Sequence, residues 1–498
     1  MGSAYEALNT RLRDVHNLGM AGAVLDWDQQ CYMPPGGVAA RADQKATLSK
    51  LSHELFISDE IGRLLAQAEA DGGETEDDQA ILRVVRRDYD KATRLPTDLV
   101  EEKTRVTSLA QEEWAAARQA DDYGRFAPWL ERILDLCRRE AEALGYADRL
   151  YDALLDLYEP GMTCAQIDPI FAELRSELIP FSQALFARAD CVDGSCLTRD
   201  YEIDMQNAYT VDLLKNCGYD FRRGRQDKAV HPFCTHFSKN DVRITTRFDK
   251  NYLPSSVFAS MHEMGHAFYE MGLADHLEGT PASGGASLGL HESQSRLWEN
   301  MVGRSLEFWK KRYAGLQSTF PASLGDISLE DFYKAINRVA PTLIRVEADE
   351  VTYTLHIILR YEMENELLEG KLSVADAPEA WNARMRELMG VTPPNHREGI
   401  LQDVHWSIGI LGYFPTYSLG SVLSAQIYDA ALREIPDLPQ RIVDGDCASL
   451  LNWLVENVHR HGRKYLPGEV IERATGSQLQ TAPYLRYLKS KFGAIYGL

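Results

Sequence analysis

His262-Glu263-Met264-Gly265-His266 sets two imidazoles four residues apart with a carboxylate beside the first. Four residues is about one helical turn, so on a helix both rings stand over one spot and can converge on a single cation. Glu263 falls on the adjoining face, where it reaches a water at the cation rather than the cation itself. There it can take the proton of that water as it attacks a carbonyl. This H-E-x-x-H pattern is the signature of a zinc hydrolase. Such a metal also needs a third protein ligand and one open position. The metzincin arrangement is excluded, because the positions that would need Gly and His are Tyr269 and Gly272. The other downstream donors are Glu270, Asp275, His276, Glu278, His291, Glu292 and Glu299. The first four lie on the motif helix or its exit, where folding back is difficult. The rest open a new helical pattern after a glycine-rich loop, and could face the motif helix across an antiparallel pair. Spacing alone leaves His291, Glu292 and Glu299 open.

The elements that hold these groups are mostly helical. Val257, Met261, Met264, Phe268 and Met271 recur at three- and four-residue steps, so the motif should ride on an amphipathic helix that starts near Pro254-Ser255-Ser256. Similar patterns occur near 40–68, 78–94, 98–120, 130–144, 165–189, 300–314 and 330–341, separated by breakers such as Asp71-Gly72-Gly73 and Glu159-Pro160-Gly161. Strand signal is scarce. The β-branched run Val242 to Phe248 is the best case, and it could pair with an extended peptide. Ser283 to Leu290 reads as an irregular strand or a loop. No repeat or low-complexity linker divides the chain. The expectation is one large unit over 1–498, mostly α, with a small β-sheet near its middle.

Composition narrows the function classes. The 498 residues carry 53 Lys+Arg against 74 Asp+Glu, a net charge of −21, which argues against a nucleic-acid partner. Apolar residues at 45% and charged residues at 26% can build a large core, so global disorder is excluded. The eight cysteines form no C-x-x-C pair, and Cys191 and Cys196 read as reduced loop thiols. The opening Met1-Gly2-Ser3-Ala4-Tyr5-Glu6 lacks a leader pattern, and no apolar run approaches the roughly 20 residues of a membrane helix. By elimination the expected location is cytoplasmic, with no membrane partner.

The chain resembles the carboxypeptidase Taq family of metallocarboxypeptidases. The resemblance rests on strings spread over most of the sequence. They include Trp27-Asp28 through Met33-Pro34-Pro35-Gly36-Gly37, Tyr151-Asp152-Ala153-Leu154-Leu155 through Glu159-Pro160-Gly161, and His231-Pro232-Phe233. They continue with Asp241-x-Arg243-x-Thr245, the H-E-S-Q-S-R string at 291–296, and Ile344-Arg345-x-x-Ala348-Asp349. Gly399-x-x-Gln402-Asp403-x-His405-Trp406 and Tyr413-Phe414-Pro415-Thr416-Tyr417 complete the set. The resemblance implies a helical zincin body, with two helical lobes flanking a long central active-site groove. It implies one Zn2+ per chain, replaceable by Co2+, held by His262, His266 and Glu292, with Glu263 as general base. The H-E-M-G-H string is also similar to that of angiotensin-converting enzyme and its helical relatives, which set a His and a Tyr over the cleft to hold the oxyanion. The matches here are His405 and Tyr417, with Tyr413 a competitor. The activity implied is release of single C-terminal residues from peptides by a homodimer. The nearest alternative is an oligopeptidase or dipeptidyl carboxypeptidase of the related helical zincins. A carboxypeptidase must also bind a terminal carboxylate, and a guanidinium fork suits that task. Arg345 leads, followed by Arg243, then Arg247 and Arg296; an ion pair of Arg345 with Asp349 is the structural alternative. Gln402 and Asp403 are expected to orient neighbours such as His405, and Trp406 to pack. His231 and His236 either line the cleft or are satisfied by local hydrogen bonds.

Overall fold

Helices carry the chain, and a small sheet interrupts them just before the H-E-x-x-H segment. The computed structural model describes residues 4–498, so the first three residues of the opening segment lie outside it. The patterns at 78–94, 98–120, 130–144 and 165–189 appear as helices Glu76–Arg94, Thr97–Ala120, Tyr123–Leu144 and Cys164–Phe186. Three others are shorter or broken. The pattern at 40–68 is two helices, Val38–Phe56 and Asp59–Asp71, because Ser58 accepts the Ile61 N–H and starts a new one. At 300–314 a π-helical turn, Leu297–Val302, gives way to Leu306–Thr319, which Ser305 caps. The pattern at 330–341 is helical only over Leu329–Ile336. Helices Tyr353–Leu368 and Pro415–Glu434 carry no sequence stripe, because they are buried on nearly every side and have no polar face to set a period.

The sheet has three strands, β1 (Gly224–Lys228), β2 (Cys234–Ser238) and β3 (Asp241–Thr246), in the order β1-β3-β2. β3 is parallel to β1 and antiparallel to β2, and Arg243 is in register with Arg225 and Thr235. The run at Val242 is therefore the central strand. Both its edges are already paired, so it does not offer backbone to a peptide. The segment from Ser283 is a loop up to Ser287, whose hydroxyl accepts the Leu290 N–H and caps helix Leu288–Arg296.

The motif helix, Pro254–Met271, is more deeply placed than an amphipathic stripe implies. Val257, Met261, Met264, Phe268 and Met271 are buried as expected, but so is most of the opposite face. Its polar residues line an internal site instead of meeting solvent. Glycine sets the spacing around it. A Cβ on Gly265 would stand 2.5 Å from the Gln294 carbonyl oxygen, and one on Gly420 would stand 2.5 Å from Glu292 Cγ. Helix Leu288–Arg296 is thus gripped between the motif helix and helix Pro415–Glu434, with the missing side chains permitting the approach.

One large apolar core runs from Leu99 to Tyr496 and includes the motif helix. A separate small core joins Leu8, Leu12, Ile61, Leu65 and Val85 to Leu273 and Leu277, just past the motif helix. All eight cysteines are free thiols, with Cys191 exposed and Cys196 buried. Among the described residues no helix is long and apolar enough to cross a membrane.

Candidate metal centre

The motif helix brings His262 and His266 to one side, and the neighbouring helix brings Glu292 to meet them. Nε2 of His262 and Nε2 of His266 lie 3.5 and 3.4 Å from Glu292 Oε2. The three donor atoms all fall within 4.8 Å of one another. Two imidazole nitrogens and one carboxylate oxygen, converging from two rigid helices, suit a catalytic zinc. The start of the Glu292 helix is held by a distant string: Tyr158 accepts the Leu288 N–H at 3.1 Å, and the Glu159 carboxylate accepts the Gly289 N–H. Glu292 Oε1 accepts from Arg296 Nε at 2.7 Å, and Ser295 Oγ donates to Oε2 at 3.0 Å.

The two other downstream candidates that spacing left open sit behind the histidines. Glu299 lies 3.0 Å from His262 Nδ1, and His291 Nδ1 lies 2.6 Å from His266 Nδ1. Glu270 in turn accepts from His291 Nε2, at 2.7 Å. These supporting contacts were hidden in the sequence, where both residues look like ligands competing with Glu292.

Electrostatics follow from burial. Burial opposes ionisation of Glu292, but Arg296 and the two histidines overturn it and hold the carboxyl well below the usual range. Burial draws His266 down to about 4, leaving the neutral imidazole that a metal needs. Glu263 is 6% exposed, and burial pushes its carboxyl up to about 7. A carboxyl poised there can both accept and return a proton near neutral pH.

A second wall carries the remaining candidates. His405 Nε2 lies 3.4 Å from the Tyr417 hydroxyl, and the His405 ring packs on Phe414 with centroids 4.5 Å apart. Its Nδ1 is buried without a hydrogen-bond partner. Burial draws His405 down to about 4 and raises the Tyr417 phenol well above its ordinary value, so at neutral pH the imidazole is uncharged and the phenol keeps its proton. Tyr413 stands edge-on to Tyr417 at 5.3 Å. Burial raises the Tyr413 phenol as well. Tyr353 links this wall to the ligands, with its ring 6.1 Å from that of Tyr417 and Arg296, which is bonded to Glu292, lying over it at 4.5 Å.

Arg345 is 5% exposed. Its Nε and one Nη each donate to Asp403 at 2.9 Å, and the other Nη donates to the Tyr353 hydroxyl at 3.1 Å. Asp349 takes no part in this pairing; it accepts the backbone N–H groups of Ala340, Val351 and Thr352. Asp403 also binds Arg360 and stands 4.0 Å from His405 Nδ1, so its hydrogen bonds go to arginines and not to the histidine. Gln402 accepts the Arg345 backbone N–H. Arg243 donates twice to Asp241 at 2.8 Å and lies over the Trp27 ring at 4.2 Å. Arg247 and His231 are exposed, while His236 Nδ1 comes within 3.5 Å of Glu270. Trp406 is buried and donates to Glu364 at 2.8 Å. A cavity of about 260 Å³ flanks the centre and meets it through Arg296 and Glu299; Tyr353, which sequence reasoning missed, also lines it.

The kinship of the chain agrees with this geometry. Residues 7–492 match the model of the carboxypeptidase Taq (M32) metallopeptidase family. Thermostable carboxypeptidase 1 of Thermus thermophilus is 41% identical over 508 residues, covering 99% of each chain. Carboxypeptidase 1 of Bacillus subtilis is 37% identical, with 97% of each chain covered. The crystal structure of the M32 carboxypeptidase from Deinococcus radiodurans R1 superposes with a TM-score of 0.97 at 41% identity, over 99% of this chain and 100% of that one. A Pyrococcus furiosus carboxypeptidase structure gives a TM-score of 0.96 at 36% identity, with 99% of each chain covered. With its His-His-Glu metal site and full-length kinship, the chain belongs to the carboxypeptidase Taq (M32) family and is a metallocarboxypeptidase.

Proposed function

We propose that this enzyme is a zinc carboxypeptidase that removes single C-terminal residues from peptides, with broad side-chain tolerance. The observation that carries the reading is the convergence of His262, His266 and Glu292 beside a buried Glu263 whose carboxyl is poised near neutrality. When bound, zinc acts as a Lewis acid that acidifies water and polarises a carbonyl. Glu263 takes the proton of the attacking water and passes it to the leaving amine. Tyr417 donates its hydroxyl proton toward the oxygen on which charge develops. His405 donates from Nε2 to the same oxygen, or holds Tyr417 in place for it. A donor aimed at charge that appears only in the transition state lowers the barrier most.

The peptide end lies in a groove between the motif helix and the wall of His405, Tyr413 and Tyr417. For the terminal carboxylate we assign Arg345 first and Arg243 second. Each is held by an aspartate before any peptide arrives, which limits the entropy lost on binding. The field of a chain with net charge −21 opposes peptide carboxylates, so the attraction must be local. Tyr413 lines the same end through its contact with Tyr417. Two copies of the chain form the working dimer, which light scattering checks. Mass spectrometry of a digested decapeptide tests the activity. A ladder shortened by one residue at a time is the expected result, and internal or two-residue cuts would overturn it.

A further inference from the structure

The two histidines of the metal site are held from behind by different devices. His262 meets a carboxylate directly, through Nδ1 and Glu299 at 3.0 Å. His266 meets none. Its Nδ1 faces another ring nitrogen, Nδ1 of His291, at 2.6 Å, and the far nitrogen of His291 faces Glu270 Oε1 at 2.7 Å. Glu270 is 6% exposed. The His291 ring has little room to turn, since a Cβ on Gly285 would come within 2.8 Å of its Cδ2 and the Tyr269 ring centroid is 5.2 Å away.

This chain of contacts has one consistent set of hydrogens. Two Nδ1 atoms at hydrogen-bond distance share a single proton. If His291 supplied it, His266 would carry its own proton on Nε2, the atom turned to Glu292, and could not be a ligand there. A neutral His291 would also turn a bare Nε2 lone pair onto the Glu270 carboxylate, acceptor against acceptor. If His266 supplies it, His291 accepts at Nδ1, carries its proton on Nε2 and donates it to Glu270. Every nitrogen is then satisfied and His266 Nε2 is left free. The partner of one ring nitrogen fixes the role of the other.

We infer that His291 and Glu270 form a positioning chain that sets the tautomer and aim of His266 as a metal ligand. The carboxylate acts one residue further back than Glu299 does behind His262. The inference rests on the His262–His266–Glu292 reading of the metal site.

The test is zinc affinity by chelator competition in the full-length protein, with the visible spectrum of the cobalt-loaded form as a second readout and melting of the metal-free form as a control. His291→Ala is expected to weaken zinc binding about 10- to 100-fold and to shift the cobalt bands. In His291→Asn the amide oxygen stands where Nδ1 stood and can accept from His266, so most of the affinity should return. Glu270→Gln keeps an acceptor for His291 without the charge, and should fall between the wild type and His291→Ala. If His291→Ala does not fold, the Asn and Gln variants carry the test against wild type, and a Glu270→Gln affinity within twofold of wild type then overturns the inference. The inference is overturned if His291→Ala binds zinc within twofold of wild type, or if His291→Asn is as weak as His291→Ala. Failure of the metal reading itself would look different: wild type and His262→Ala would bind zinc equally poorly.

Discussion

The helices at the metal centre and the first two helices of the chain follow opposite designs. Helix Leu288–Arg296 is seated between two others at glycine-limited distance, and nearly all its polar atoms have partners inside the protein. Helix Val38–Phe56 buries no residue, and helix Ala4–Cys31 buries only Leu8, Leu12 and Trp27. Between the pair lies a crevice of about 700 Å³ lined by Val15, Leu18, Gly22, Leu48 and Phe56. Arg41 joins the two helices to each other through Asp28 at 2.6 Å. The pair is tied to the body by Leu8 and Leu12 in the small core and by Trp27, which lies under both Arg243 and Arg225 at 4.2 and 5.2 Å. Precise placement of metal ligands needs rigid, close-packed supports. A region outside that shell tolerates loose packing, and should open more readily than the core.

The largest expected effect separates chemistry from support. Glu263→Gln should lower kcat by about 10²- to 10⁴-fold while metal content and melting temperature stay near wild type, because in the proposed mechanism the carboxylate moves a proton and does not bind the ion. Equal loss of metal would place Glu263 among the ligands. Next in size for the metal site itself is Gly420→Ala. Its methyl group would collide with Glu292 Cγ, so helix Leu288–Arg296 must shift, at about 1–3 kcal/mol of stability, and zinc affinity should fall with it. A variant with unchanged zinc affinity would show that the site tolerates looser packing than the comparison implies. Leu12→Ala, in the small core, should destabilise by an amount comparable to Gly420→Ala or greater, about 2–5 kcal/mol, yet barely change turnover. Hydrogen exchange should speed up in the first two helices and around Leu273 and Leu277, and not in helices Pro254–Met271 and Leu288–Arg296. Uniform acceleration would mean that the two regions open as one unit.

The same contrast explains what was legible in the sequence. The motif and its helix were readable because two histidines one turn apart leave few other interpretations. The third ligand was not readable from spacing. His291, Glu292 and Glu299 all face the site, and only packing decides that Glu292 points between the two Nε2 atoms while the others stand behind the rings. Gly265 and Gly420 carry no chemical signal, since a glycine at a close helix crossing looks like any other glycine until its neighbour is known. Helices Tyr353–Leu368 and Pro415–Glu434 had no period because they have no wet side. The family strings were recognisable without their roles. Tyr151, Trp406 and the Gly412 N–H, from distant stretches, all meet on the buried Glu364 carboxylate.

The smallest effect concerns the link that starts the Glu292 helix. Glu159 is 1% exposed, and burial pushes its carboxyl up to about 8, with only the Ser287 and Gly289 hydrogen bonds opposing. In the unfolded chain the same group titrates near 4.5. Between those values the folded state holds more protons than the unfolded state, so this group makes stability fall as pH rises from about 4.5 to about 8 and leaves a constant penalty above that. Glu159→Gln keeps an oxygen for the Gly289 N–H and removes the charge. Its melting temperature relative to wild type should therefore climb between pH 5 and pH 8, by an amount equivalent to about 1–3 kcal/mol. Zinc affinity at pH 5.5, where the wild-type carboxyl is mostly protonated in the fold, should be almost the same in both proteins. A flat difference across that range would mean that Glu159 stays ionised in the fold. The start of the Glu292 helix would then be held by a buried charge, and the close-packed region would contain a weak point of its own.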